Sequence, residues 1–278
     1  MQYFKQLLNF YINSSVHVAL SVCALALVTL IEFSISTDIV LLLFLFFATI
    51  SGYNFVKFFG IAKFHHRRLA NWLKAIQVFS FFCFVFMCYH GSQLPAQTLV
   101  YIACFGVVTF FYAIPFLPKH LFVDNQQNLR SIGGLKVYLI ALVWAGVTVL
   151  LPVINNAFSV TTTVVLTALQ RYIYIIVLML PFEIRDLQFD SVKLSTIPQK
   201  IGIKRTKIIG VLLLVLIVVL EVFKTEKQLI HTLVMLLILL ITLLFLLFAK
   251  KQQTKYYSAF WVEGIPILWG VILLFLAN

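Results

Sequence analysis

Glu183, Asp186 and Asp190 are three of only nine acidic residues in the chain, and all lie in one short stretch, PFEIRDLQFDSVKLSTIPQKIG at 181–202. Spacings of three and then four residues put the three carboxylates on one face of a helix, stacked over two turns. Like charges so close repel unless a cation sits among them. Hard oxygen ligands with no Cys or His alongside suit Mg²⁺ rather than zinc. Mg²⁺ held by a few carboxylates keeps waters and shares its remaining positions with phosphate oxygens. Lys193, Lys200, Lys204, Arg205 and Lys207 follow closely and supply positive charge for the rest of a phosphate. The plainer alternative is a solvated, mixed-charge loop between two membrane helices, and spacing alone leaves both open.

The elements that position these residues follow from composition. Hydrophobic residues make up 62% of the chain, charged residues 11%, and the mean hydropathy is +1.04. That is far outside the range of soluble domains and predicts an all-α, polytopic membrane bundle forming a single domain over 1–278. Apolar runs near the ~20 residues needed to span a bilayer fall at about 16–33, 39–59, 72–89, 96–114, 135–153, 161–180, 208–222, 229–249 and 256–277, nine spans in all. The run at 208–222 is short and is expected to start a few residues earlier. Residues 1–15 are aromatic and weakly amphipathic, lack the form of a cleaved signal, and read as an interfacial helix.

The net charge of +12 does not form one nucleic-acid-binding patch, because the basic residues fall in alternate loops. With the N-terminus cytoplasmic, inner segments carry 18 of the 21 Lys and Arg and outer loops only Lys224 and Lys227. The positive-inside rule then puts the C-terminus outside, in a membrane of the bacterial inner type. The acidic stretch becomes the cytoplasmic loop 181–207. The other strongly basic inner loop, Lys63–Arg68, lies four spans earlier, a weak hint of two related halves. The four cysteines lie in apolar runs without metal-ligand spacing and predict no disulfides.

Two charges lie within spans, Arg171 and Glu263. An unpaired charge at that depth costs several kcal/mol, and counting residues at about 1.5 Å each places the two close enough in depth to predict a mutual clamp. His17 and His231 sit near span ends and are expected at the interface; Glu32 and Asp38 flank the first outer turn with no special role. Most of the 28 Phe, 11 Tyr and 4 Trp are expected to face lipid or to pack.

In this order of features the chain resembles the UbiA superfamily of intramembrane prenyltransferases, whose helices enclose a central cavity with two Asp-rich motifs on cytoplasmic loops. The second motif is matched by Asp186, Asp190, Thr196, Ile197, Pro198 and Gly202, with Glu183 at its preceding acid. Tyr112, Pro115, Arg130 and Lys136 resemble the family's Tyr-x-x-Pro and the basic start of its fifth helix. At the first motif, Asn54 is present, but Phe58 and Ala62 stand where the family has carboxylates.

The resemblance implies transfer of a prenyl group from an allylic polyprenyl diphosphate to an aromatic, quinone-precursor-like or other lipid acceptor. It implies Mg²⁺ at Glu183, Asp186 and Asp190, the two aspartates being catalytic. Lys57, Arg67, Arg68, Arg130, Lys136 and Lys193 would hold the diphosphate, and Asn54 is the first-motif remnant. For the Lys63–Arg68 cluster, ordinary positive-inside charge is the competing explanation. A catalytically inactive isoprenoid-binding or scaffolding relative accounts for the same residues and for the degenerate first motif. A transporter accounts for the spans alone, since nothing resembles paired broken helices around a mid-membrane ion site.

Overall fold

In a bilayer every backbone polar group must be satisfied within the protein, so apolar runs of this length resolve into helices. The computed structural model describes residues 2–62, 71–113, 134–188, 196–225 and 228–277, and no strand occurs among them. Helix α1 (Gln2–Asn13) turns at Ser15, which adopts a left-handed φ of 66°, into α2 (Val16–Glu32). The two axes are bent by 56°, as expected of a leading helix that does not continue the span. Then follow α3 (Ile39–Ala62), α4 (Asn71–Gly91), α5 (Ala96–Ala113), α6 (Leu135–Asn155), α7 (Thr162–Asp186), α8 (Ile197–Val222), α9 (Leu229–Phe248) and α10 (Tyr257–Leu276).

Helices α3, α4, α6, α7, α9 and α10 each have the length and apolarity to cross a membrane, six in all, and the bent α1–α2 pair makes a seventh candidate. Helix α5 is a shorter apolar helix over Ala96–Phe111. The polytopic helical bundle is as expected, while nine is not the number reached on length and composition.

Helix α7 is the axis of the molecule. Residues from Ile173 to Leu178 are buried on every side of it, as in a helix that is apolar all round, and α2, α6, α8, α9 and α10 pack around it. Helix α4 is the opposite case: Phe81, Phe82, Phe84 and Phe86 are exposed, matching the expectation of lipid-facing aromatics. Helices α6 and α10 widen into a π-turn at Gly146–Leu150 and at Tyr257–Val262. Each turn lies just before a proline, Pro152 or Pro266, whose ring cannot donate to the preceding turn and clashes with it.

The stretch 181–207 is mostly helical rather than a loop. Helix α7 runs on to Asp186, and α8 begins at Ile197. Ile197 and Pro198 occupy the first turn of α8, where a missing N–H costs nothing, and the Thr196 backbone N–H donates to Gln199 Oε1 at 3.0 Å. Gly202 then breaks the helix with φ 79° and ψ 161°, a region open essentially to glycine alone. The span expected at 208–222 therefore starts beyond this kink, a few residues earlier than its apolar run. Gly202→Ala is expected to cost about 1–3 kcal/mol although a Cβ there meets open space; chemical denaturation in detergent measures it, and a neutral result would show that the kink is not required.

The clamp expected between Arg171 and Glu263 is absent. Arg171 donates from Nη1 to the Leu25 carbonyl at 3.0 Å and stacks 4.9 Å from the centre of the Trp269 ring, with no carboxylate of the described residues within ion-pair distance. Two further expectations fail for the same reason, that neighbours from other helices claim the side chain. His17 is buried rather than interfacial, with Nε2 donating to the Phe260 carbonyl and Nδ1 accepting from Tyr11 Oη, each at 2.8 Å. Glu32 and Asp38 have structural roles: Glu32 pairs with Lys224 at 2.7 Å, and Asp38 accepts from Asn155 at 2.6 Å and from the Leu41 N–H at 3.0 Å.

Candidate functional site

The C-terminal end of α7 holds Glu183 and Asp186, two of the acidic residues singled out in the sequence. Pro181 lies inside this helix, and Gln253 Nε2, from the segment joining α9 to α10, donates both to the Pro181 carbonyl at 2.9 Å and to Ser258 Oγ at 2.7 Å. This ties the last turn of α7 to the start of α10. One turn on, Glu183 and Asp186 project to the same side, as their spacing requires, because a single group touches both. Lys136 Nζ, from the first turn of α6, lies 3.2 Å from Glu183 Oε1 and 3.8 Å from Asp186 Oδ2. Arg185 Nε and Nη2 each lie 2.8 Å from Asp186 Oδ1, and the guanidinium is steadied 5.4 Å above the Phe182 ring.

Burial separates the two acids. The Glu183 side chain is 2% exposed and that of Asp186 20%, so Glu183 forms the floor of the site and Asp186 its accessible rim. Two carboxylates meeting on one ammonium form a place built to hold positive charge.

The surroundings of Asn54 are built differently. Asn54 is 3% exposed and its amide is committed to packing. Oδ1 accepts from Ser15 Oγ at 2.8 Å, while Nδ2 donates to the Ser14 carbonyl at 3.0 Å and to Ser80 Oγ at 2.7 Å. This latch fastens the α1–α2 turn to α3 and α4, and it leaves the Asn54 oxygen engaged rather than turned to a ligand. Lys57, one turn along α3, donates to Ser15 Oγ at 2.7 Å.

Glu263 is the residue that sequence reasoning misplaced. It sits just after the π-turn of α10, where Ser21 Oγ donates to its backbone carbonyl and the Gly264 N–H bonds to the Phe260 carbonyl at 2.9 Å. Its carboxylate lies in the field of both Lys57 and Arg185. No spacing signal announces it, because its neighbours are about 80 and 200 residues away; the one local clue is the proline two positions after Gly264, which promotes a π-turn.

Asp190, Lys193, Arg67, Arg68 and Arg130 lie outside the described residues, as do Pro115 and the side chain of Tyr112. Among the described residues no group of three His, Cys, Asp or Glu is placed to hold a metal. Of the proposed ligand set, the structure brings together Glu183, Asp186 and Lys136.

No family model and no curated protein matches the chain. Solved structures do. A UbiA homolog from Archaeoglobus fulgidus bound to GPP and Mg²⁺ superposes with a TM-score of 0.61 at 13% identity, covering 95% of this chain and 99% of the other. An apo UbiA homolog from Aeropyrum pernix K1 gives 0.60 at 13% identity over 92% and 95%. A structure described for digeranylgeranylglyceryl phosphate synthase gives 0.57 at 15% identity over 96% and 98%. With 92–96% of this chain and 95–99% of the other covered in each comparison, the chain has the fold of the UbiA homologs.

Proposed function

We propose that this chain is a membrane prenyltransferase-like protein that transfers a prenyl group from an allylic polyprenyl diphosphate to a hydrophobic acceptor. The observation that carries the reading is the convergence of Glu183 and Asp186 on one cationic point at the end of the central helix, in a fold whose relatives were solved with GPP or DMAPP and Mg²⁺. The donors fit Mg²⁺: they are hard oxygens, and the Lys136 ammonium already occupies the place of a cation between them. Glu183 and Asp186, with Asp190, would hold the metal, which when bound offsets the charge of a departing diphosphate.

The chain's own residues do the rest. Lys136 and Arg185 bring positive charge to the same mouth, Lys136 as a point charge and Arg185 as a planar fork suited to phosphate oxygens. Lys57 adds a third positive charge from α3, with Lys193, Arg67, Arg68 and Arg130 assigned to the diphosphate from the sequence. Ile184, Leu180 and Val177 behind the site are buried and apolar, the kind of wall that excludes water from a reactive centre.

A second reading, an isoprenoid-binding relative without catalysis, is favoured by one observation: Asp186 is already neutralised by Lys136 and Arg185. Release of pyrophosphate separates the two. Purified protein incubated with geranyl diphosphate and Mg²⁺ is expected to release pyrophosphate above the protein-free rate, and Asp186→Asn to return that rate to background. Diphosphate binding without release would establish the non-catalytic reading.

A further inference from the structure

Where α8 begins and α9 ends, two helices bring positive charges together. Lys207, just beyond the Gly202 kink of α8, donates from Nζ to the Leu247 carbonyl at 2.6 Å. That oxygen belongs to the last turn of α9, where carbonyls have no partner within the helix. The contact uses one of the three N–H groups of the ammonium. Lys250 and Lys251 follow directly on α9 and are exposed, and Lys207 lies in the field of Lys250. Lys204 is exposed one turn before Lys207, at a spacing that puts both on one side of α8. Among the described residues no carboxylate comes within ion-pair distance of these four.

The local sequence offers no acid to answer them. Helix α9 and the segment 249–256 contain no Asp or Glu. Glu221, the one acid of α8, is fourteen positions from Lys207, or roughly 21 Å at 1.5 Å per residue. The positive-inside rule accounts for basic residues in inner loops, but it does not require them to meet. Here they meet across two helices, and like charges at short range repel. An anion shared between them turns that repulsion into attraction.

The neighbouring side chains say what carries the anion. Ile208, Leu212 and Val215 are exposed on α8, and Leu240, Leu244 and Phe248 on α9, each set at helical spacing. Both apolar stripes lead up to the lysines. An anion borne on apolar chains fits the stripes and the charges, whereas a free anion fits the charges alone. Basic pockets between membrane helices suit anionic lipid headgroups for this reason.

We propose that this end of the α8–α9 pair, independently of the prenyl-transfer reading, binds an anionic phospholipid whose phosphate is held by Lys207, Lys250 and Lys251 and whose acyl chains lie along the exposed stripes of the two helices.

The test titrates the detergent-purified full chain with dioleoylphosphatidylglycerol and reads thermal unfolding. Dioleoylphosphatidylcholine, with the same acyl chains and no net charge, is the control. Phosphatidylglycerol is expected to protect saturably, phosphatidylcholine at least fivefold more weakly, and inorganic phosphate not at all. Lys250→Gln and Lys251→Gln should each weaken the apparent affinity about fivefold, the effect of one basic residue near anionic lipid. Without lipid both variants should unfold at the wild-type temperature, because both side chains are exposed. Lys207→Gln should also weaken binding, with a lower unfolding temperature, because it gives up the contact with Leu247. Lys74→Gln removes an exposed lysine at the start of α4 and should leave the affinity unchanged, which separates a local site from diffuse surface charge. Asp186→Asn should leave it unchanged as well, so that this site and the diphosphate site fail separately. Equal protection by phosphatidylcholine or by inorganic phosphate, unchanged affinity in Lys250→Gln and Lys251→Gln, an equal loss in Lys74→Gln, or lost protection in Asp186→Asn would each overturn the proposal.

Discussion

Glu221→Ala is expected to lower the unfolding free energy by about 3–5 kcal/mol, the penalty for leaving a buried ion pair with one member missing. The side chains of Lys224 and Glu221 are 2% and 8% exposed, so water does little to soften the loss. Removing the carboxylate also strands two more groups, since Gln170 Nε2 would keep only the Ile217 carbonyl at 2.9 Å and Thr232 Oγ1 would lose its closer partner. Glu221→Gln should be milder, because the amide still accepts from one of these donors. Lys224→Ala alone should be as harmful as Glu221→Ala, since it leaves two carboxylates facing each other across a vacated position. The pair Glu221→Ala with Lys224→Ala should lose well under the sum of the two, because residues in one network are not additive. Additive losses in chemical denaturation would mean that the Glu32–Lys224–Glu221 cluster is not a cooperative unit.

That cluster also shows where sequence reading stops. The positions of the apolar runs were legible, because a bilayer demands uninterrupted hydrophobicity of fixed length. So was the common side of Glu183 and Asp186, because helix geometry fixes which residues share a face. Partners from other helices were not legible. Depth arithmetic set Arg171 beside Glu263, yet depth along an axis carries no information on which helices touch or at what register. In the folded chain Arg171 is level with Trp269, six residues beyond Glu263, about 9 Å further along α10. Lys224 and Lys227 entered the sequence argument only as outer-loop charges, and Lys224 is in fact buried at the centre of an ion cluster.

The same limit applies to Asn54. Its place in the second half of α3 was readable, but an Asn that ligates and an Asn that latches Ser14, Ser15 and Ser80 are the same letter. Lys136 is the converse: the resemblance suggested a basic residue at the start of its helix. Only packing puts that residue against both carboxylates, where it stands as a cation rather than as a distant phosphate hook. This difference can be measured.

Geranyl diphosphate is expected to protect the purified protein against thermal unfolding only when Mg²⁺ is present. Protection follows mass action and reaches about 2.7 kcal/mol at a hundred times the dissociation constant. Asp186→Ala should abolish the Mg²⁺-dependent part and leave the fold intact, since the Asp186 side chain is at the accessible rim and its charge is shared between Lys136 and Arg185. Glu183→Ala should abolish it too, with a stability loss, because it empties a buried position. Lys136→Met is the deciding variant. If Lys136 occupies the place of a metal, its removal takes away the one cation that touches both carboxylates, and Mg²⁺ protection should hold or strengthen. If Lys136 grips the diphosphate directly, protection should fall, most visibly at low ionic strength, where an ammonium–phosphate contact is least screened. Protection indifferent to Mg²⁺, to Asp186 and to Glu183 would remove the metal–diphosphate site and leave the UbiA-like architecture as a fold without that chemistry.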